Sequence, residues 1–136
     1  MKKLLASSIV ISALFGCATQ HGLERKDPVG AYELGRRYEK GLGVKEDDRK
    51  AYQWYEQAAD QGLADAMWSI ANLYGTGKLG GIDMMMACVW AVRAGKYATD
   101  EKVKSEVAVA IPQLRAMLGK RFPSCENKAG EWSPAS

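Results

Sequence analysis

The chain has 136 residues, of which 47% are hydrophobic and 26% are charged, and its formal net charge is +3 at pH 7. This length indicates one small domain with a modest core. The nearly balanced charge gives no strong field, so the composition excludes proteins that bind nucleic acid or an anionic membrane through a large basic surface.

Residues 1–16 have the composition of an export signal. Lys2 and Lys3 precede an apolar run over residues 4–15, which is too short to span a bilayer comfortably. The segment that ends this run, Leu14-Phe15-Gly16-Cys17, resembles the lipobox of bacterial lipoproteins. That resemblance implies a lipid on Cys17 and, because Ala18 follows it rather than Asp, sorting to the outer membrane. The alternative is an ordinary signal peptide with a chance Cys.

The mature chain divides into a tether, a folded domain and a tail. Without residues 1–16 it carries seventeen basic and sixteen acidic residues. The polar segment 17–28, which contains the only His of the chain, His21, is expected to link the lipid to the fold. We expect the domain to cover residues 29–120. Residues 121–136 are polar, contain Pro123 and Pro134 and lack a period, which predicts a loose tail.

The domain begins with two predicted helical hairpins, over residues 30–62 and 66–95. In the first hairpin, apolar or small residues recur at helical spacing, and glycines interrupt the pattern at Gly41 and Gly43. Asp47 can cap the second helix by accepting a backbone N–H of its first turn. Asp83 has the corresponding place in the second hairpin.

The second hairpin repeats the first at a fixed distance of thirty-six residues. Six residues recur identically; they are Tyr38, Gly41, Asp47, Ala51, Trp54 and Ala58, matched by Tyr74, Gly77, Asp83, Ala87, Trp90 and Ala94. Such a period predicts a stack of supersecondary units, each of which needs a neighbour to cover its apolar face. Proteins of this kind usually bind partners.

A further helix is predicted over residues 100–119. It has a helical stripe of apolar residues: Val103, Val107, Ile111, Leu114 and Leu118. Because Pro112 lies inside it, we expect a kink or a break there. This helix is expected to cap the open end of the stack.

Cys88 and Cys125 form an even pair once Cys17 carries lipid. In an oxidising compartment a bridge between them is one possibility, and closing that loop would stabilise the fold by about 4 kcal/mol. The other possibility is a buried Cys88 and a free thiol at Cys125 in the tail, since sequence alone does not show that the two sulfur atoms meet.

The first hairpin closely resembles the Sel1-like repeat, a relative of the tetratricopeptide repeat. The matching sequence is AYELGRRYEKGLGVKEDDRKAYQWYEQAADQG, from Ala31 to Gly62. The stretch from Ala64 to Gly95 is a weaker copy, with Leu79 where the first unit has Gly43. The resemblance implies a short α-solenoid of two antiparallel hairpins and the work of an adaptor, an assembly factor or a recognition surface.

The residues needed for catalysis or cofactor binding are missing from the predicted domain. His21 lies outside it, and no Cys-x-x-Cys occurs, so we predict no catalytic residue, no metal and no small-molecule cofactor. The segment Gly75-Thr-Gly77-Lys-Leu-Gly80 matches a dinucleotide-binding pattern, but that pattern needs a preceding strand, whereas a helix is predicted here. The acidic residues 46–48 are explained by a solvated helix start.

The first helix of each hairpin typically lines the concave side of such a stack. We therefore predict partner-binding residues at the non-core positions of these helices: Tyr32, Arg36, Arg37, Lys40, Trp68, Asn72 and Leu73. Aromatic and Arg side chains are enriched in interface hot spots. At least one side chain of Met84-Met85-Met86 is expected either to touch a partner or to pack on residues 103–118.

The sequence thus predicts a non-catalytic outer-membrane lipoprotein that faces the periplasm and binds a protein partner there, as an adaptor or assembly factor of an envelope complex. One alternative is an immunity protein that neutralises a toxin delivered to the periplasm. A second alternative is a peptidoglycan or β-lactam hydrolase, for which no nucleophile and base pair is evident in the sequence.

Overall fold

The computed structural model describes residues 27–135, so the predicted signal peptide, Cys17 and His21 lie outside the described residues. In this range the chain forms α-helices, one short 3-10 helix over Gly119–Arg121, and no strand. The α-helices are α1 (Pro28–Lys40), α2 (Asp48–Ala59), α3 (Ala64–Thr76), α4 (Met84–Tyr97), α5 (Glu101–Leu118) and α6 (Phe122–Gly130). The predicted all-α class is confirmed.

The predicted hairpins are the pairs α1–α2 and α3–α4, and their turns are built alike. Each first helix ends at a glycine with left-handed backbone geometry, Gly41 with φ of 65° and Gly77 with φ of 77°. Each second helix begins with an Asp cap: Asp47 accepts from the backbone N–H of Lys50 at 3.0 Å, and Asp83 from Met86 at 2.9 Å. These bonds occupy N–H groups that have no partner within the helix.

The same backbone hydrogen bond also closes both loops. The N–H of Asp47 donates to the carbonyl oxygen of Tyr38 at 2.9 Å, and the N–H of Asp83 donates to that of Tyr74 at 3.0 Å. The period of thirty-six residues therefore corresponds to a repeated backbone structure. The second of these loops follows a helix, as predicted, so it lacks the strand that a dinucleotide-binding turn requires.

The core between the helices is made largely of alanines, and the two units fill one pair of equivalent positions differently. In the first unit Gly35 lies under the fully buried ring of Tyr55. In the second unit the equivalent positions hold Ala71 and Ala91, both buried. The first unit fills this space with the Tyr55 ring against Gly35, whereas the two alanines of the second unit leave space beside them.

Helix α5 packs on α4 and covers the open end of the second hairpin, as expected for a capping helix. Val103, Val107 and Leu114 of its stripe are buried. Of the kink or break predicted at Pro112, the break is wrong, because α5 continues through Pro112 to Leu118. Pro112 and Ala108, whose carbonyl group loses its helical partner, both lie on the exposed side, where water can replace the missing bond. No helix in the described range, α5 included, is long and apolar enough to cross a membrane.

The prediction of a loose tail after residue 120 is wrong, because the chain continues into α6. Phe122, Cys125 and Ala129 form a buried stripe that packs on α4. Pro123 does not prevent this helix, since proline is tolerated in the first turn. Cys125 is joined to Cys88 of α4 by a disulfide with a Cα–Cα distance of 6.0 Å. The bridge fixes α6 to the second hairpin.

The last described residues, 131–135, form an extended strap that returns to the first hairpin. Trp132 lies beside Trp90, with ring centroids 6.1 Å apart, and meets Tyr97 edge to face at 5.8 Å. The backbone N–H of Ala135 donates to the carbonyl oxygen of Asp60 at 2.7 Å. The strap therefore connects the end of the chain to the corner between α2 and α3.

Candidate functional site

A polar groove lies between α1, α3 and α5. Its walls are charged or hydrogen-bonding side chains from these three helices, with Tyr55 of α2 beneath them. The residues that line it are Tyr32, Arg36, Glu39, Lys40, Tyr55, Asp65, Ser69, Asn72 and Lys102. Four of the predicted partner-binding residues, Tyr32, Arg36, Lys40 and Asn72, are therefore brought together here.

The acidic side of this groove is fixed by an internal network. The hydroxyl of Tyr55 donates to Oε2 of Glu39 at 2.6 Å, and Nζ of Lys78 lies 3.5 Å from Oε1 of the same carboxylate. Lys78 also lies 3.4 Å from Asp48. Burial works against the charge of Lys78, but the two carboxylates outweigh it and raise the pKa of Lys78. Glu39 is thus committed to internal partners.

The same network changes the properties of Tyr55. Burial raises the pKa of its phenol, and the hydrogen bond and charge of Glu39 raise it further. The ring also packs against Tyr32, with centroids 5.5 Å apart. Tyr55 therefore stays neutral and fixed under the groove, where it supports Tyr32 from below.

The cationic side chains of the polar groove have fewer partners inside the protein than Glu39 has. Arg36 pairs with Glu33 at 3.0 Å, in a contact that is largely exposed to solvent. Lys40 and Lys102 form no ion pair with any residue between 27 and 135. Asp65 is the other carboxylate that lines the groove. The polar groove therefore offers net positive charge to a molecule that binds there.

An apolar groove of about 250 Å³ adjoins the polar one, between α3, α4 and α5. Small residues form its floor and longer apolar side chains its walls. The lining residues are Trp68, Ala71, Asn72, Gly75, Thr76, Met84, Ala87, Ala91, Ala110, Gln113, Leu114 and Met117. Met117 is 67% exposed although it is apolar.

Trp68 and Asn72 connect the two grooves. Asn72 lines both, and Trp68 faces a shallow depression that continues along α5 past Ser105 and Val109. Val109 is 64% exposed and lies on the same side of α5 as Met117, two helical turns before it. The result is one continuous surface with a positive end and an apolar end.

Two predicted partner-binding residues do not belong to this surface. Leu73 is fully buried, so its assignment is wrong. Arg37 instead faces the turn after α1, where its Nε donates to the carbonyl oxygen of Leu42 at 3.2 Å. The buried stripe of α3 is broad and takes up Leu73, whereas Asn72, its neighbour, points to the groove.

Helix α5 contributes to the site beyond its predicted capping role. Lys102, Gln113 and Met117 line the grooves, and none of them is among the predicted partner-binding residues. The sequence does indicate a second role for α5, because apolar residues such as Val109 and Met117 recur beside its buried stripe. Met84 of the methionine triplet lines the apolar groove, while Met85 and Met86 are half-buried against the core.

The described residues show structural roles for the acidic cluster and hold no metal-binding group. Asp47 caps α2, and Asp48 pairs with Lys78. Within residues 27–135 no three His, Cys, Asp or Glu side chains are arranged to hold a metal ion. The arrangement as a whole combines an open groove with fixed charges, which is suited to binding.

The family model of the Sel1 repeat matches residues 28–63 and 64–95, which are the two hairpins and together half of the chain. This chain belongs to the Sel1 repeat family. The Sel1 fold is a scaffold for protein–protein interaction rather than a catalytic fold, and such repeats typically mediate binding between proteins. The predicted unit boundaries at 30–62 and 66–95 lie within three residues of the matched ranges.

A solved structure is similar to this chain: the crystal structure of a Sel1 repeat protein from Oxalobacter formigenes. The sequence identity is 26% and the TM-score is 0.56. The match covers 79% of this chain and 43% of that protein, so this chain spans less than half of the length of its relative. A comparison with curated proteins finds no significant match.

Proposed function

We propose that this protein is a bacterial outer-membrane lipoprotein, anchored through Cys17, whose grooves bind a protein partner in the periplasm. In this role it is an adaptor or assembly factor of an envelope complex and catalyses no reaction. The proposal for the anchor is supported by the lipobox-like segment, and that for the partner by the Sel1 family and the groove surface.

The continuous surface around Trp68 carries the proposal of partner binding. Met117 and Val109 are 67% and 64% exposed at its apolar end. Leaving such side chains in water has a cost, and a contiguous apolar patch rimmed by polar residues is typical of interaction sites. Trp, Tyr and Arg are the side chains that most often dominate binding energy, and Trp68, Tyr32 and Arg36 all belong to this surface.

The anchor is tested by labelling cells with a radioactive or clickable fatty acid. The full chain should incorporate label and remain with the outer membrane, and the Cys17→Ser variant should lose both. Labelling that persists in Cys17→Ser, or an unlabelled full chain that is released from membranes by salt, would contradict the anchor.

The partner-binding role is tested by capture from envelope extract. A triple variant, Tyr32→Ala with Arg36→Ala and Trp68→Ala, should lose the proteins that the natural chain captures. A control variant, Arg49→Ala with Gln53→Ala, changes exposed residues of α2 outside the grooves and should keep them. If the folded triple variant captured the same proteins with equal strength, the groove would not be the docking surface.

A further inference from the structure

We propose that the groove surface recognises an extended acidic segment of its partner that carries one large apolar side chain. This inference rests on the docking function proposed above and specifies the chemistry of the docked segment. The apolar side chain would enter the apolar groove, and the acidic side chains would lie along the polar groove.

The apolar groove fits a single anchor side chain. Its volume of about 250 Å³ lies just below the range of roughly 300–1,000 Å³ that is usual for pockets holding a whole small molecule. Ala87 and Ala91 leave room at its floor, while Trp68, Met84 and Met117 supply deformable or flat apolar walls. Such a site can surround one aromatic or long aliphatic side chain, which is how anchor residues of interfaces are held.

The charge of the polar groove selects an acidic neighbour for that anchor. Glu39 is already bound by Tyr55 and by Lys78 from outside the groove. Lys40 and Lys102 form no ion pair within residues 27–135; Asp65 lines the polar groove with them, and Glu106 lines the adjoining depression along α5. Carboxylates on a partner would satisfy these lysines, and complementary charge of this kind contributes to specificity and to the rate of association.

The geometry of the grooves sets the order of the recognised groups. Asn72 lines both grooves, so a segment that follows the surface passes it between the cations and the apolar groove. The acidic residues should therefore lie on one side of the anchor along the segment. Asn72, exposed where the grooves join, can donate and accept hydrogen bonds to the backbone between them.

Three occupants that this protein itself could supply do not account for the groove. Residues 17–26, which precede the described residues in the mature chain, contain one acidic residue, Glu24, against Arg25 and Lys26. A second copy of the chain would bring the same unpaired lysines to the surface and be repelled by them. The C-terminal strap is bound elsewhere, at Asp60. A separate acidic segment is therefore the occupant that the charges favour.

The proposal is tested by selecting peptides from a displayed library of random segments, about ten residues long, on the full chain purified in mild detergent. Selected segments should carry one Trp, Phe, Leu or Met and at least two Asp or Glu on one side of it. Synthetic copies should bind in fluorescence anisotropy and lose about tenfold or more in affinity when the anchor becomes Ser or the acids become Gln.

Variants of the chain separate this binding from general attraction. Lys40→Glu with Lys102→Glu, and separately Met117→Glu, should each weaken the peptides by about tenfold or more. Lys120→Glu with Lys128→Glu, which changes the net charge as much as the lysine pair does but at exposed positions outside the grooves, should leave the affinity within about twofold. Equal losses in this control variant would show that net charge alone attracts the peptides and would overturn the proposal.

Other outcomes distinguish this proposal from the docking function on which it rests. Selected peptides that are basic or uncharged, yet lost in Trp68→Ala, would overturn the acidic segment and leave docking at the groove standing. A single-stranded oligonucleotide that bound more tightly than every peptide, and was lost with Lys40→Glu and Lys102→Glu, would assign the surface to nucleic acid instead. A natural partner retained by the triple groove variant would contradict docking itself, whichever peptides were selected.

Discussion

The contact between Gly35 and Tyr55 gives a sharp test of how the first hairpin packs. A Cβ atom at position 35 would lie 2.6 Å from both Cδ1 and Cε1 of the Tyr55 ring, closer than side-chain atoms approach in proteins. The ring has little freedom to withdraw, because it packs on Tyr32 and its hydroxyl is bonded to Glu39. We therefore expect Gly35→Ala to force these helices apart.

The expected magnitude follows from two opposing effects. Inserting a methyl group into a well-packed core costs about 1–3 kcal/mol. Replacing glycine by alanine inside a helix returns about 1 kcal/mol. The net loss should be about 1 kcal/mol, within a range of roughly 0–2 kcal/mol, and a loss of about 1 kcal/mol lowers the midpoint of thermal unfolding by about 4–8 °C in a domain of this size.

The matched control is Gly75→Ala, because a Cβ at position 75 would meet only the Cβ of Ala87, at an ordinary 3.7 Å. This variant should be neutral or up to about 1 kcal/mol more stable than the natural chain. Thermal unfolding followed by circular dichroism measures both. If Gly35→Ala stabilised the domain as much as Gly75→Ala, the packing of Tyr55 described above would be wrong.

Three further predictions concern the disulfide, the buried phenol and the strap. Replacing Cys88 and Cys125 by Ala should lower the free energy of unfolding by about 4 kcal/mol in urea titrations; an unchanged midpoint would show that the bridge is dispensable. Burial and Glu39 hold the pKa of Tyr55 above its value in the unfolded chain. The contribution of Tyr55 to the free energy of unfolding should therefore be fully present below about pH 10 and fall as the pH rises further, because there the phenol ionises only in the unfolded chain. The fall should be smaller in Tyr55→Phe, and a slope equal to that of the natural chain would remove Tyr55 as its cause. Trp132→Ala should cost about 2 kcal/mol, roughly half of the value for a fully buried Trp, and should alter the fluorescence of Trp90; unchanged stability would mean that the strap is not held as described.

The two hairpins could be predicted from sequence because their signals are local and repeated. Glycines at Gly41 and Gly77 end the first helices, and Asp47 and Asp83 begin the second ones, at identical spacing. Each signal is a short-range requirement of the backbone, and its repetition made it visible. The structure shows the same hydrogen bonds at both copies, which is why the period identified the architecture.

Helix α6 could not be predicted from the sequence, because it depends on contacts with residues that are distant along the chain. Phe122, Cys125 and Ala129 have helical spacing, but polar residues surround them and Pro123 suggested a break. What fixes this segment is α4, through the disulfide of Cys88, and that pairing cannot be read from spacing. The position of Trp132 likewise depends on its contacts with residues of α4.

The groove could be predicted in outline but not residue by residue. Tyr32, Arg36 and Lys40 follow one another on one face of α1, so their common direction was evident. Helix α3 is apolar on most of its circumference, and sequence alone did not show that Leu73 faces inward while Asn72 faces the groove. The contribution of Lys102 and the other α5 residues depends on how the capping helix lies across α3.

The most direct test of groove docking is site-specific photo-crosslinking in living cells. A photoreactive amino acid at Asn72, exposed where the two grooves join, is compared with the same amino acid at Gln53, exposed on α2. We predict a discrete adduct with a partner protein from position 72 and none from position 53. An adduct from position 53 alone, or equal adducts from both positions, would contradict docking at the groove.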